Sequence, residues 1–143
     1  LLEAIEGQAV LGEGDRLAEL LTASLPAVQA YLDGKRTYRL GHYEESAKHF
    51  ARALDIDSTF ALAAWGEFNA RGWVDYSPRY TRAVDLAFAF QDRLPPRERD
   101  MLIASFGDKY PEGQTYADAV RNMERVSARY PDSPEVWYDL GDV

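Results

Sequence analysis

Few residues in this chain have the types and spacing that chemistry needs. His42, Glu45 and His49 come closest. They stand at i, i+3 and i+7, a spacing that turns three metal-ligating side chains to one side of a helix. His42, however, falls in a stretch that reads as a turn, and a fourth ligand is missing. A solvated surface is the better reading, and no metal is expected. Gly12-Glu13-Gly14 is half of a dinucleotide fingerprint. Its third glycine is absent and no strand precedes it, so it reads as a helix stop and turn, with no cofactor implied. The carboxylate pairs Glu44/Glu45, Asp55/Asp57 and Asp139/Asp142 are sequence neighbours that mostly face water. Asp55 and Asp57 also lie near a helix end whose dipole disfavours them, which suits a solvated loop. Ser105, in Ala-Ser-Phe-Gly, lacks the glycine frame of a nucleophile elbow. No nucleophile–base pair is found, and no catalytic residue is expected.

The composition narrows the field further. The chain has 143 residues, enough for one ordinary domain or a short repeat array. Its net charge of −8 opposes nonspecific binding of nucleic acid, because phosphates repel such a surface. There is no cysteine, so disulfide and thiolate chemistry are excluded, but that does not choose between cytoplasm and periplasm. No apolar run reaches the length of about 18 residues that a spanning helix needs, so no membrane insertion is expected. Leu1–Gln8 lack the basic start and apolar run of a signal peptide and look like the cut end of a longer protein.

The elements that would position any site are helical. Val28, Tyr31, Leu32 and Gly34 recur at helical spacing, and Leu40-Gly41-His42-Tyr43 breaks the pattern. A second helix follows through Tyr43, Ala47, Phe50, Ala53, Leu54 and Ile56. Gly41 stands where the chain must reverse, and glycine enters left-handed backbone space at little cost. Ser24 is a plausible N-cap for the first of these helices, with Pro26 in its opening turn. Ahead of it, residues 1–26 hold two short helical patterns, one through Leu1, Leu2, Ile5, Ala9 and Val10, the other capped by Asp15 and running through Leu17, Leu20 and Leu21. Further on, Leu62, Trp65, Phe68 and Asn69 lie on a helix, and Arg71–Pro78 reads as a packed loop rich in glycine, proline and aromatics. A helix through Tyr80, Ala83, Val84, Ala87, Phe88 and Phe90 is expected to stop at Leu94-Pro95-Pro96, where proline forbids continuation. Pro96 then stands in or just before the first turn of a helix carrying Leu102, Ile103 and Phe106, which is expected to run to Pro111-Glu112-Gly113. Tyr116, Ala119, Met123 and Val126 mark the helix after it.

Gly34, Gly41, Tyr43, Ala47, Phe50, Ala53 and Leu54 resemble a tetratricopeptide repeat, a helix–turn–helix unit of about 34 residues. On that register residues 1–26 precede the array, unit one is 27–60, unit two is 61–99 with a longer loop, unit three is 100–133, and a fourth starts at 134–143. Pro95 and Pro131 match the proline that closes a unit, while Ser58 replaces it in unit one. Ser46 falls on a position that is usually small and apolar. Gly107 matches the small position of a first helix, and Trp137-x-x-Leu140-Gly141 matches a unit opening, one repeat length later. The pattern is cut short at Val143, so the array is expected to continue. The resemblance covers residues 27–143. It implies an all-α fold, a right-handed α-solenoid of antiparallel helix pairs. The segment wording is most similar to bacterial repeat regions appended to serine/threonine protein kinases, adenylate cyclases or transcriptional regulators, in which the array senses or docks and catalysis sits elsewhere. No kinase motif occurs in this chain.

In such arrays the second, fifth, ninth, twelfth and thirteenth positions of each unit face a concave groove. The resemblance therefore implies a partner-binding surface of Val28, Tyr31, Lys35, Tyr38 and Arg39 in unit one, Leu62, Trp65 and Asn69 in unit two, Met101, Ala104 and Asp108 in unit three, and Glu135, Tyr138 and Asp142 in unit four. Arginine and aromatic side chains bury large areas and suit a protein or peptide ligand. Periodicity alone does not separate a groove-facing Tyr31, Tyr38 or Trp65 from one packed against the next unit. Lys35, Arg39 and Asn69 supply part of a clamp for a C-terminal carboxylate, but Tyr31 and Asp108 stand where it needs donors, so a chaperone-tail receptor is not expected. The expected role is non-catalytic docking of a protein or peptide. Two alternatives stay open: self-association or packing against sister domains, and a small-molecule pocket near Trp73, Tyr76 and Tyr80.

Overall fold

The computed structural model describes residues 24–134. Six α-helices and one short 3-10 turn make up the regular structure of these residues, and no strand occurs among them. The helices are α1 (Leu25–Arg39), α2 (Tyr43–Ile56), α3 (Ala61–Arg71), α4 (Pro78–Ala89), α5 (Pro96–Phe106) and α6 (Tyr116–Arg129), with the 3-10 turn at Gln91–Arg93. The readings placed on residues 1–23 and 135–143, Tyr138 included, lie outside the described residues. The described residues fall into two compact units that meet at the Pro95–Pro96 bond.

In the first unit each helix packs on the next, α1 on α2, α2 on α3 and α3 on α4, and α1 also touches α3. This is repeat-like packing, and local chemistry sets its boundaries. Ser24 caps α1 by accepting from the Ala27 amide at 3.4 Å, and Pro26 sits in the opening turn. The helix ends in a six-to-one closure: the His42 amide donates to the Thr37 carbonyl at 3.0 Å, while Gly41 takes φ +78°. That left-handed position is the one glycine occupies without penalty. The loop after α3 is tied by its backbone, the Asp75 amide donating to the Arg71 carbonyl at 2.8 Å, but Trp73, Val74 and Tyr76 stay exposed, so its side chains are not packed as expected.

The core of this unit is one ring held between two glycines. Phe50 of α2 is 2% exposed. A methyl group added at Gly34 of α1 would lie 2.8 Å from that ring, and one added at Gly66 of α3 would lie 2.6 Å from it. Neither distance leaves room for a carbon, so glycine on both helices lets α1 and α3 close on the same aromatic side chain. Tyr31 packs on Phe50 and Phe60, with ring centroids 5.6 and 5.2 Å away. Ser46 is fully buried and donates to the Gly34 carbonyl at 2.7 Å. Its hydroxyl is thereby satisfied, which explains a polar residue at this core position.

The second pair of helices departs from the expected boundaries. Helix α4 ends at Ala89, and the 3-10 turn carries the chain to Leu94. Helix α5 stops at Phe106, several residues before Pro111. Gly107 follows at φ +90°, its amide donating to the Ile103 carbonyl at 2.8 Å. Gly107 therefore ends the helix and is not a small packing residue within it. Gln114 closes this corner, donating to the Ala104 carbonyl at 2.7 Å and accepting from Asn122 at 3.0 Å. In the second unit α5 packs on α6.

Candidate functional site

The expected groove residues divide into two sets. Val28 and Tyr31 are each 3% exposed and Leu62 1%, so all three belong to the core and offer no surface to a partner. The Tyr31 ring is consumed by packing on Phe50 and Phe60, the outcome periodicity left open for it. Met101 and Ala104 are buried in the same way. Arg39 is exposed, and Lys35, Tyr38, Trp65 and Asn69 are half-buried. Lys35, Tyr38 and Arg39 stand within one turn of α1, and Trp65 and Asn69 within one turn of α3, the helix that α1 touches.

Lys35, Trp65 and Asn69 each rest against a neighbour. The Lys35 ammonium lies 5.9 Å from the Tyr31 ring centroid. Asn69 donates to the Trp65 carbonyl at 2.9 Å, leaving its amide oxygen outside that bond. Trp65 meets Phe68 edge-on at 5.1 Å. Phe68 meets Tyr80 at 6.1 Å, and Tyr80 meets Tyr76 at 4.9 Å. Burial, with the neighbouring Tyr76 second, pushes the Tyr80 phenol above its ordinary range.

Beneath this row lies an ion cluster that pattern reading missed. Glu67 is 1% exposed and accepts from Arg71 Nε at 2.9 Å and from Arg79 Nε at 3.0 Å. Asp55 stands 3.9 Å from Arg79. One carboxylate thus joins α3 to the start of α4. The i, i+4 spacing of Glu67 and Arg71 was the available signal, but such pairs usually lie on the surface. A second buried carboxylate, Glu98, accepts from Arg97 at 2.8 Å in the other unit.

The aromatic loop splits in two. Tyr76 and Tyr80 belong to the row just described. Trp73 instead turns to the hairpin end: it stacks on Tyr43 at 5.3 Å and 15°, and its indole N–H donates to the Tyr38 hydroxyl at 3.2 Å. Tyr38 also meets Tyr43 edge-on at 5.2 Å. An open hollow of about 700 Å³ lies here, between the first turn of α2 and Trp73-Val74. Of Trp73, Tyr76 and Tyr80, only Trp73 lines this hollow.

Glu45 sits between two imidazoles, 3.7 Å from His42 and 3.7 Å from His49. Among the described residues no group of three histidine or carboxylate side chains is placed to hold a metal ion. None of the described helices is long and apolar enough to cross a membrane. Comparison with known protein families, characterised proteins and solved structures finds no match to this chain.

Proposed function

We propose that the chain is a tetratricopeptide-like array, a right-handed solenoid of helix pairs, that docks a protein or peptide and catalyses no reaction itself. On this reading it is the sensing or scaffolding part of a larger bacterial signalling or regulatory protein. The observation that carries the reading is the pairing of α1 with α3, two first helices of successive hairpins in contact. Both present partly exposed side chains suited to recognition, Lys35, Tyr38 and Arg39 on one, Trp65 and Asn69 on the other. Cation, aromatic ring and amide together supply charge, area and directional hydrogen bonding, the mixture found at energetic centres of protein interfaces.

The test is affinity capture with the full chain, its retained partner identified and its affinity then measured. Lys35→Ala/Arg39→Ala is expected to weaken binding at least tenfold with the thermal transition of the parent, and Trp65→Ala to weaken it likewise at some cost in stability, because Trp65 also packs on Phe68. A partner that binds these variants as tightly as the parent would contradict the proposal. Self-association, the rival role, predicts a mass that rises with concentration in light scattering and falls back in the same variants.

A further inference from the structure

The hollow beside the first hairpin turn adjoins the α1 end of the proposed docking surface, since its wall residue Trp73 donates to the Tyr38 hydroxyl at 3.2 Å, but none of the docking residues lines it. Its wall is the Tyr43–Trp73 stack, and its rim carries Glu44, Glu45 and Lys48. Trp73 is 49% exposed and Val74 47%, high values for large apolar side chains in a loop otherwise pinned by backbone bonds. The indole is held in place by its bond to Tyr38 and its stack on Tyr43, so it offers a preformed ring. The Glu44–Lys48 pair spans 3.6 Å with both side chains more than 70% exposed. Such a pair contributes little in water and opens readily.

We propose that this hollow binds an arginine side chain presented by a basic peptide segment of a partner. The ligand class follows from the lining. An anion would meet two carboxylates, Glu44 beside Lys48 and Glu45 beside His42, on a chain whose net charge is −8. A purely apolar ligand would strip water from those carboxylates without replacing it. A guanidinium fits both parts: its flat face stacks on an aromatic ring, and its edge donates to a carboxylate in plane. A lysine ammonium offers the charge without the flat face, so arginine is the preferred form.

The test uses the full chain and a labelled peptide with two arginines among glycines, read by fluorescence anisotropy against the same peptide with glutamine in place of arginine. The arginine peptide is expected to bind, more weakly as salt rises, and the glutamine peptide is not. Trp73→Ala keeps the net charge, so general attraction between an acidic protein and a basic peptide predicts no change. The proposal predicts a loss of about fivefold or more, from the cation–ring contact. Glu44→Gln/Glu45→Gln removes two charges at exposed positions with little risk to folding and is expected to weaken binding further. Glu112→Gln/Glu124→Gln removes the same charge elsewhere and is expected to leave affinity within about twofold, the drop that general charge screening allows. Equal binding of the two peptides, no binding at all, or losses no larger in the hollow variants than in the control pair would each overturn the proposal.

Discussion

Phe50 is the residue on which the first unit turns. It fills the space that two helices leave by carrying no side chain at Gly34 and Gly66. Gly66→Ala is expected to cost about 1–3 kcal/mol, the range for forcing a methyl group into a filled core. Chemical denaturation checks it, and a double-mutant cycle makes it specific. With Phe50→Leu in place the ring is gone, so adding Gly66→Ala should cost markedly less than it does in the parent. Additive losses would mean that the ring is not what excludes the methyl. Gly34 was legible from the repeat pattern. Gly66 was not, because the register placed Phe68 at the corresponding position and two residues of slippage hid the match. Glu67 escaped for a different reason: nothing in an i, i+4 ion pair tells a buried carboxylate from an exposed one. Glu67→Ala is expected to lower stability by about 2–3 kcal/mol, less than for a fully enclosed pair because Arg79 reaches solvent.

Tyr80 gives a pH prediction at the same scale. Burial disfavours its phenolate, so its folded pKa lies above the unfolded value of about 10. A raised pKa contributes stability that is complete below the unfolded value and is lost as pH rises through the folded one. Stability is therefore expected to fall above pH ~10, and less steeply in Tyr80→Phe. Parallel denaturation curves for parent and variant across alkaline pH would contradict this.

At the scale of elements, most starts were legible and two stops, those of α4 and α5, were not. Ser24, Pro26 and Pro96 mark helix beginnings because a cap side chain accepts from an opening-turn amide, or a proline ring lacks the N–H that would go unpaired there; Pro78, read as loop, also opens a helix. The end of α5 was misread because Gly107 matched a small position within a helix, while its backbone takes the left-handed turn that ends one. Gly107→Ala is expected to cost about 1–2 kcal/mol, from the left-handed backbone alone. The added carbon would also lie 3.2 Å from Gln114 Cβ. At the start of α6, Thr115 accepts from the Asp118 amide at 3.1 Å and donates to its carboxylate at 2.7 Å. The Thr115 hydroxyl holds the Asp118 carboxyl below its ordinary range. A lowered pKa contributes stability above the unfolded value that is lost as pH falls through the folded one. Thr115→Val should therefore flatten the acid limb of the stability profile, as read by thermal melts at graded pH.

At the scale of the molecule, the all-helical class and the hairpin order were legible, because periodicity reports which face of a helix is apolar. Which apolar residues remain on the surface was not, because that depends on neighbours far away in sequence. Val28, Tyr31 and Leu62 share their helices' spacing with Lys35, Tyr38 and Trp65, yet packing encloses only the first three. In the first unit the proposed recognition surface is thereby reduced to Lys35, Tyr38, Arg39, Trp65 and Asn69, while Asp108 stays exposed in the second unit. Hydrogen exchange of the full chain, alone and with its captured partner, tests that claim most directly. Slowed exchange concentrated in the turns around Lys35–Arg39 and Trp65–Asn69 is the predicted result. A partner that binds while protecting neither turn would contradict it.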